Sequence, residues 1–287
     1  MPPYSLVINS VGSSVIVRSN YRSDIKKIKT SLFLKRYIPS VVVLDSNTKF
    51  DCELILKRGR NKIEMQYPRA IYHNFKFAER DIVSLVEYLL ERARQQAGLY
   101  CIHGSACVVS GQAVIFWGGV SGLGKTSLCK KMQADYGAKW LADEKIVIDF
   151  LTNQIKGWVD VAYLKKKRDK FQQLQSVDLK TIPIAFFVCP LLTDDSCSGL
   201  IFDRWPSKKF RWHLFEESNR KIRATSKLLF SETEPIMPID TPNLAKGRIR
   251  AVKKIVAQSS NYFIKGNSDN ICKKVIYLLK NKNLSSK

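Results

Sequence analysis

The stretch Gly119-Val-Ser-Gly-Leu-Gly-Lys-Thr126 constrains this chain more than any other feature. It satisfies every fixed position of the G-x-x-x-x-G-K-[ST] pattern. Its glycines let successive backbone N–H groups converge on an anion without obstruction by side chains. Lys125 supplies a point charge, and the Thr126 hydroxyl is a hard oxygen ligand for a metal ion. Such a loop works only between a buried strand and a helix, and both neighbours qualify. Ala113-Val-Ile-Phe-Trp117 is a continuous apolar run, as a strand covered on both faces requires. Lys125 to Tyr136 reads as a helix closed by Gly137. The expectation is an α/β fold in which Gly119, Val120, Ser121, Gly122, Leu123, Gly124, Lys125, Thr126 and Ser127 bind the phosphates of a nucleotide. The positive end of the helix dipole adds to that grip.

Acidic groups follow at the right place. Lys139 to Ala142 reads as a short strand ending at Asp143-Glu144. A carboxylate at the end of a strand beside phosphates can hold Mg²⁺ or accept a proton from an attacking hydroxyl. Thr126 is an expected metal ligand, and Asp143 and Glu144 are the candidates for holding the metal or taking the proton. A turn or helix-cap role is the plainer alternative for such a pair. His103 precedes the strand pair, and its spacing does not decide whether it reaches the loop.

The rest of the chain divides by period. Residues 1–98 read as a small β-rich region, with strands at 4–8, 14–17, 41–44, 52–56 and 63–66. It ends in an amphipathic helix carrying Ile82, Leu85, Val86, Leu89, Leu90 and Ala93. Residues 99–287 read as one catalytic domain. Within it a buried strand is expected from Ile182, a helix from Thr241-Pro242, a strand at 262–264 and a last helix from Asp269.

Composition excludes some classes. Three histidines and seven scattered cysteines without a C-x-x-C pair argue against a zinc site and for reduced thiols, as in a cytoplasm. No apolar run is long enough to span a bilayer, so no membrane partner is expected. The net charge of +23 fits nucleic acid, an acidic protein, or merely a basic surface. The densest basic groups are 165–168, Lys208-Lys209 with Arg211, and Lys246, Arg248, Arg250, Lys253 and Lys254 along one helix. Phe210, Trp212 and Phe215 interleave the second group, a mixture that can bind single strands or form a solvated face.

Taken together, Ile102-His-Gly-Ser-Ala106, the hairpin 107–117, the glycine loop through Leu128 and Leu141-Ala-Asp-Glu144 resemble the HPr kinase/phosphorylase family. The loop also resembles that of phosphoenolpyruvate carboxykinases, a related fold. The resemblance implies a P-loop kinase domain of HPr-kinase-like type, with ATP and Mg²⁺ as cofactors. The γ-phosphoryl group would pass to a hydroxyl, commonly a serine, of a protein, peptide or small molecule. His103 would then lie near the γ-phosphate, Lys125 against the β- and γ-phosphates, and Asp143 would be the general base. Glu144 stands where the family usually has a second aspartate. An E-I-R-G-L-G-I-like second signature is missing, so neither phosphorylase activity nor HPr as substrate is implied. The family also suggests a homo-oligomer. Two rival readings stand beside this one: a nucleotide-binding regulator without transfer activity, and a nucleic-acid-stimulated NTPase.

Overall fold

The computed structural model of the protein describes residues 2–44, 47–118, 121–163, 171–174, 181–194, 199–223 and 236–284. It is mixed α/β and folds as two units, Met1–Cys101 with Ser218–Arg250, and Ile102–Glu217 with Ala251–Lys287. Residues 218–250, inside the region 99–287 read as one domain, thus belong with the N-terminal unit.

The first unit opens with a hairpin of β1 (Tyr4–Ser10) and β2 (Ser13–Ser19). Val11 and Gly12 both take positive φ, 53° and 80°, the turn geometry whose twist matches that of paired strands. After α1 (Arg22–Lys29) and α2 (Leu32–Tyr37) come β3 (Val41–Leu44), β4 (Cys52–Lys57), β5 (Lys62–Gln66) and β6 (Arg69–His73), then α3 (Glu79–Gln96). The six strands form one sheet in the order β3-β1-β2-β4-β6-β5, parallel only at β2–β4 and β4–β6. The apolar stripe of α3 packs with Leu6, Ile8, Val15, Val17, Leu54 and Leu56 of the sheet. Ile222, Ile236 and Ile239 complete that core, and the Tyr88 hydroxyl ties the returning segment down by donating to Ile222 O at 3.0 Å.

Arg248 corrects the sequence reading. Expected on a basic, solvated helix face, it is fully buried. Its guanidinium donates to Asp240 Oδ1 at 2.9 Å, Asn219 Oδ1 at 2.7 Å and Gln95 Oε1 at 3.0 Å.

The second unit contains β7 (Leu99–Val109) from Ile102 onward, β8 (Gln112–Trp117), α4 (Lys125–Tyr136), β9 (Lys139–Ala142), β10 (Lys145–Asp149) and β11 (Gln154–Trp158). There follow β12 (Val161–Tyr163), β13 (Phe171–Gln173), β14 (Ile182–Leu192), β15 (Ile201–Arg204), α5 (Ser207–Arg220), which belongs to this unit up to Glu217, α6 (Pro242–Gln258), which belongs to it from Ala251, β16 (Ser260–Gly266) and α7 (Ser268–Leu284). Its main sheet runs β11-β10-β7-β8-β14-β16-β15, with β9 also on β7 and β11 also on β14. β8, β14 and β16 are mutually parallel, so their C-terminal ends lie together.

Alternation along these strands builds two cores, as side chains one residue apart face opposite ways. Phe116, Phe186 and Val188 pack with Leu128, Cys129 and Met132 of α4 and Ile271 and Val275 of α7. Trp117 and Phe187 face the other way and meet Phe210 of α5, with ring centroids 5.6 and 5.2 Å away. Phe210, which the sequence leaves open as a stacking aromatic or part of a solvated basic face, is a core residue; Trp212 is 65% exposed. The basic group 165–168 lies outside the described residues. Among the described residues no helix is long and apolar enough to cross a membrane, and six cysteines are buried free thiols.

Candidate functional site

The C-terminal end of β8 turns through Gly118 into the glycine loop. Gly119 and Val120 lie outside the described residues; Ser121 to Ser127 are described. Gly122 and Gly124 take φ of 88° and 89°, a conformation that side chains disfavour. A Cβ on Gly124 would also stand 2.6 Å from Leu192 Cβ, so this position admits only glycine on two counts. Leu192 N donates to Leu123 O at 3.3 Å, which pins the loop to the end of β14. Ser121, Gly122 and Ser127 are exposed, and the first amides of α4 have no partner within the helix.

Lys125 is buried at the start of α4. Burial lowers its ammonium below the usual lysine range, against the opposing pull of Asp143, Glu217, Cys189 and Glu144. Asp143, at the end of β9, is also buried. Its Oδ1 accepts from Thr126 Oγ1 at 2.9 Å and from Ser105 Oγ at 2.5 Å. Burial nonetheless raises the Asp143 carboxyl above its ordinary value; the two hydroxyls and the charges of Lys125 and Lys130 oppose that rise. Desolvation therefore outweighs pairing for both members of the Lys125–Asp143 pair.

Next in the chain, Glu144 adopts φ 69°. This left-handed backbone costs a non-glycine residue about 1 kcal/mol. It aims the Glu144 carbonyl at β7, where that oxygen meets His103 Nδ1 at 2.9 Å and the Gly104 amide at 3.2 Å. A carbonyl only accepts, so Nδ1 carries the hydrogen. The His103 amide donates to Glu217 Oε1 at 2.9 Å. Glycine at 104 is required too, because a Cβ there would sit 2.8 Å from Phe116 O.

The structure thus gathers His103, Lys125, Thr126, Asp143 and Glu144 at one end of the sheet, all within the second unit. No protein-family model matches the chain, and no curated protein matches it significantly. The site consequently rests on its own geometry.

Two members escaped the sequence reading. Ser105 stands two residues after His103 on β7, and period-2 alternation alone puts both on one face. Glu217 follows Phe210 and Leu214 at helical spacing, i, i+4 and i+7, but the lysines and arginine around Phe210 obscured that stripe.

As for metal, the Thr126 and Asp143 oxygens are hard donors 2.9 Å apart. That spacing matches the roughly 3 Å between adjacent ligands of an octahedral ion bonded at about 2.1 Å. Elsewhere, Glu87, Glu91 and Cys101 converge in the first unit. Both carboxylates there are already bound to the buried Arg94, each at 2.9 Å.

Proposed function

We propose that this chain is a P-loop phosphotransferase of HPr-kinase-like type, which moves the γ-phosphoryl group of ATP to a hydroxyl. The observation that carries the reading is the single carboxylate oxygen of Asp143 holding both Ser105 and Thr126 beside the buried Lys125. A merely structural aspartate has no need of a P-loop lysine and threonine around it.

In this reading the loop amides and Lys125 neutralise the β- and γ-phosphates, and catalysis comes from positioning and electrostatics. Thr126 and Asp143 would hold Mg²⁺, with Glu144 as a further carboxylate, where the ion would offset phosphate charge. Asp143 Oδ1 is fixed by its two donors, while Oδ2 accepts no hydrogen bond among the described residues. Oδ2 is therefore the oxygen assigned to take the acceptor's proton. The raised proton affinity of a buried carboxyl suits that task. His103, with its Nδ1 hydrogen committed to Glu144 O, is oriented by both the carbonyl and Glu217.

The test is labelling of a cell extract with ATP radioactive at the γ-phosphorus, using wild type and Asp143→Asn. One labelled species that vanishes in the variant is the expected result. Equal labelling by both proteins would remove Asp143 from the reaction.

A further inference from the structure

Away from the glycine loop, the second unit ends its sheet in an exposed strand. All four residues of β15 are exposed, Ile201 to 55%, and among the described residues β15 pairs only with β16. Such an edge offers backbone donors and acceptors to a further strand. Beside it, aromatic rings and cations alternate. Phe202 stacks on Tyr262 at 5.3 Å. Lys274 of α7 holds its ammonium 4.0 Å above the Phe202 ring and 5.0 Å from that of Tyr277. Arg204 donates to Ser260 Oγ at 3.3 Å. Ser260 and Tyr262 also line a pocket of about 330 Å³ with Lys282 at its wall.

We propose that β15 and the neighbouring face of α7 dock an extended acidic peptide segment, which pairs with the β15 edge. The inference rests on the phosphotransferase reading for one clause only, that this segment belongs to the acceptor. Two observations select the ligand class. The Phe202 ring already stacks on Tyr262 and carries the Lys274 ammonium, so a nucleobase stacking there would compete with both contacts. What the groove does present is a row of positive groups, Arg204, Lys274 and Lys282, beside unpaired strand backbone, which suits carboxylates on an extended chain.

Its direction also fits. Ile201 pairs with Lys265, next to Gly266, which in turn is level with Leu192 at the glycine loop. A segment leaving β15 at Ile201 therefore emerges at the end of the sheet that carries Lys125. Three inter-strand steps of about 4.8 Å separate β15 from β8, roughly 14 Å in all. An extended chain covers that in roughly four to five residues. The acceptor hydroxyl should lie about that far from the acidic stretch.

The experiment is fluorescence anisotropy with three labelled probes: a peptide alternating Glu and Val, the same peptide with Lys for Glu, and oligothymidine. The proteins are wild type, the double variant Arg204→Glu with Lys274→Glu, and a control, Lys253→Glu with Lys254→Glu. Both variants change net charge equally, and the control residues are exposed on α6. Wild type and control should bind the acidic peptide alike, and the double variant at least ~tenfold more weakly, with unchanged thermal melting. No binding by wild type, equal loss in both variants, or selective loss of oligothymidine instead overturns the proposal. Binding of a fluorescent ATP analogue, followed in parallel, reports on the glycine loop alone, so failure there is separable from failure of the groove.

Discussion

Thr126 Oγ1 lies 2.9 Å from Asp143 Oδ1, joining the first turn of α4 to the end of β9. Two elements that follow one another in sequence thus share one oxygen, and Ser105 brings β7 to the same atom. Replacing that carboxylate by its isosteric amide should separate chemistry from folding. Asp143→Asn is expected to lose about 10²–10⁴ in transfer rate, the usual worth of a general base. Thermal melting near neutral pH should be unchanged or raised, since a desolvated charge is removed. Single-turnover transfer and calorimetry measure the two effects.

The same group sets a pH dependence. Its folded pKa is raised by burial, so the neutral form is the one the fold favours. That stabilisation is complete below the ordinary aspartate value of about 3.9 and is lost as pH rises through the folded value. Urea unfolding should show Asp143→Asn gaining on wild type across that interval and levelling off above it. The acid limb of kcat/KM should lie above the ordinary carboxylate range.

Ser105→Ala removes one of two donors to Oδ1 and should cost about 1 kcal/mol of stability. Because that hydrogen bond lowers the Asp143 pKa, its loss should move the acid limb upward. A purely structural serine would leave the limb in place, so the pH–rate profile separates the two roles.

In the first unit, Arg248→Ala removes the partner of the buried Gln95 and Asn219 amides and of the part-buried Asp240 carboxylate, and should destabilise by about 3 kcal/mol. Lys253→Ala, an exposed change on the same helix, should fall within about 0.5 kcal/mol of wild type. Urea titration of both distinguishes a buried network from a solvated basic stripe.

Phe210→Ala should likewise cost about 3–5 kcal/mol, since its buried ring packs against both Trp117 and Phe187. Trp212→Ala should leave stability nearly unchanged. Equal small effects would show that α5 does not cover the sheet.

Legibility in the sequence followed the range of the interactions. The β1–β2 hairpin, the β8–loop–α4 unit and β9 rest on neighbours in the chain, and their residues announce them. Arg248 was legible in spacing, because Leu244, Arg248, Ala251, Val252 and Ile255 form one helical stripe, but its charge suggested solvent. The return of residues 218–250 to the first unit depends on Tyr88 and Gln95, more than 100 positions away, and no local pattern encodes that. α1 and α2 are short, with one buried apolar residue each, too few for periodicity to reveal. Glu217 reaches His103 across 114 positions and is invisible to a motif.

The central claim is that the glycine loop and Lys125 grip a polyphosphate. Titration of a fluorescent ATP analogue with Mg²⁺ into wild type and Lys125→Ala tests it directly. Losing one charge-assisted contact of about 1.5–3 kcal/mol should weaken binding by roughly ten- to a hundredfold. Saturable wild-type binding with that loss is the predicted result; equal affinity of the two proteins, or no binding by either, would contradict it.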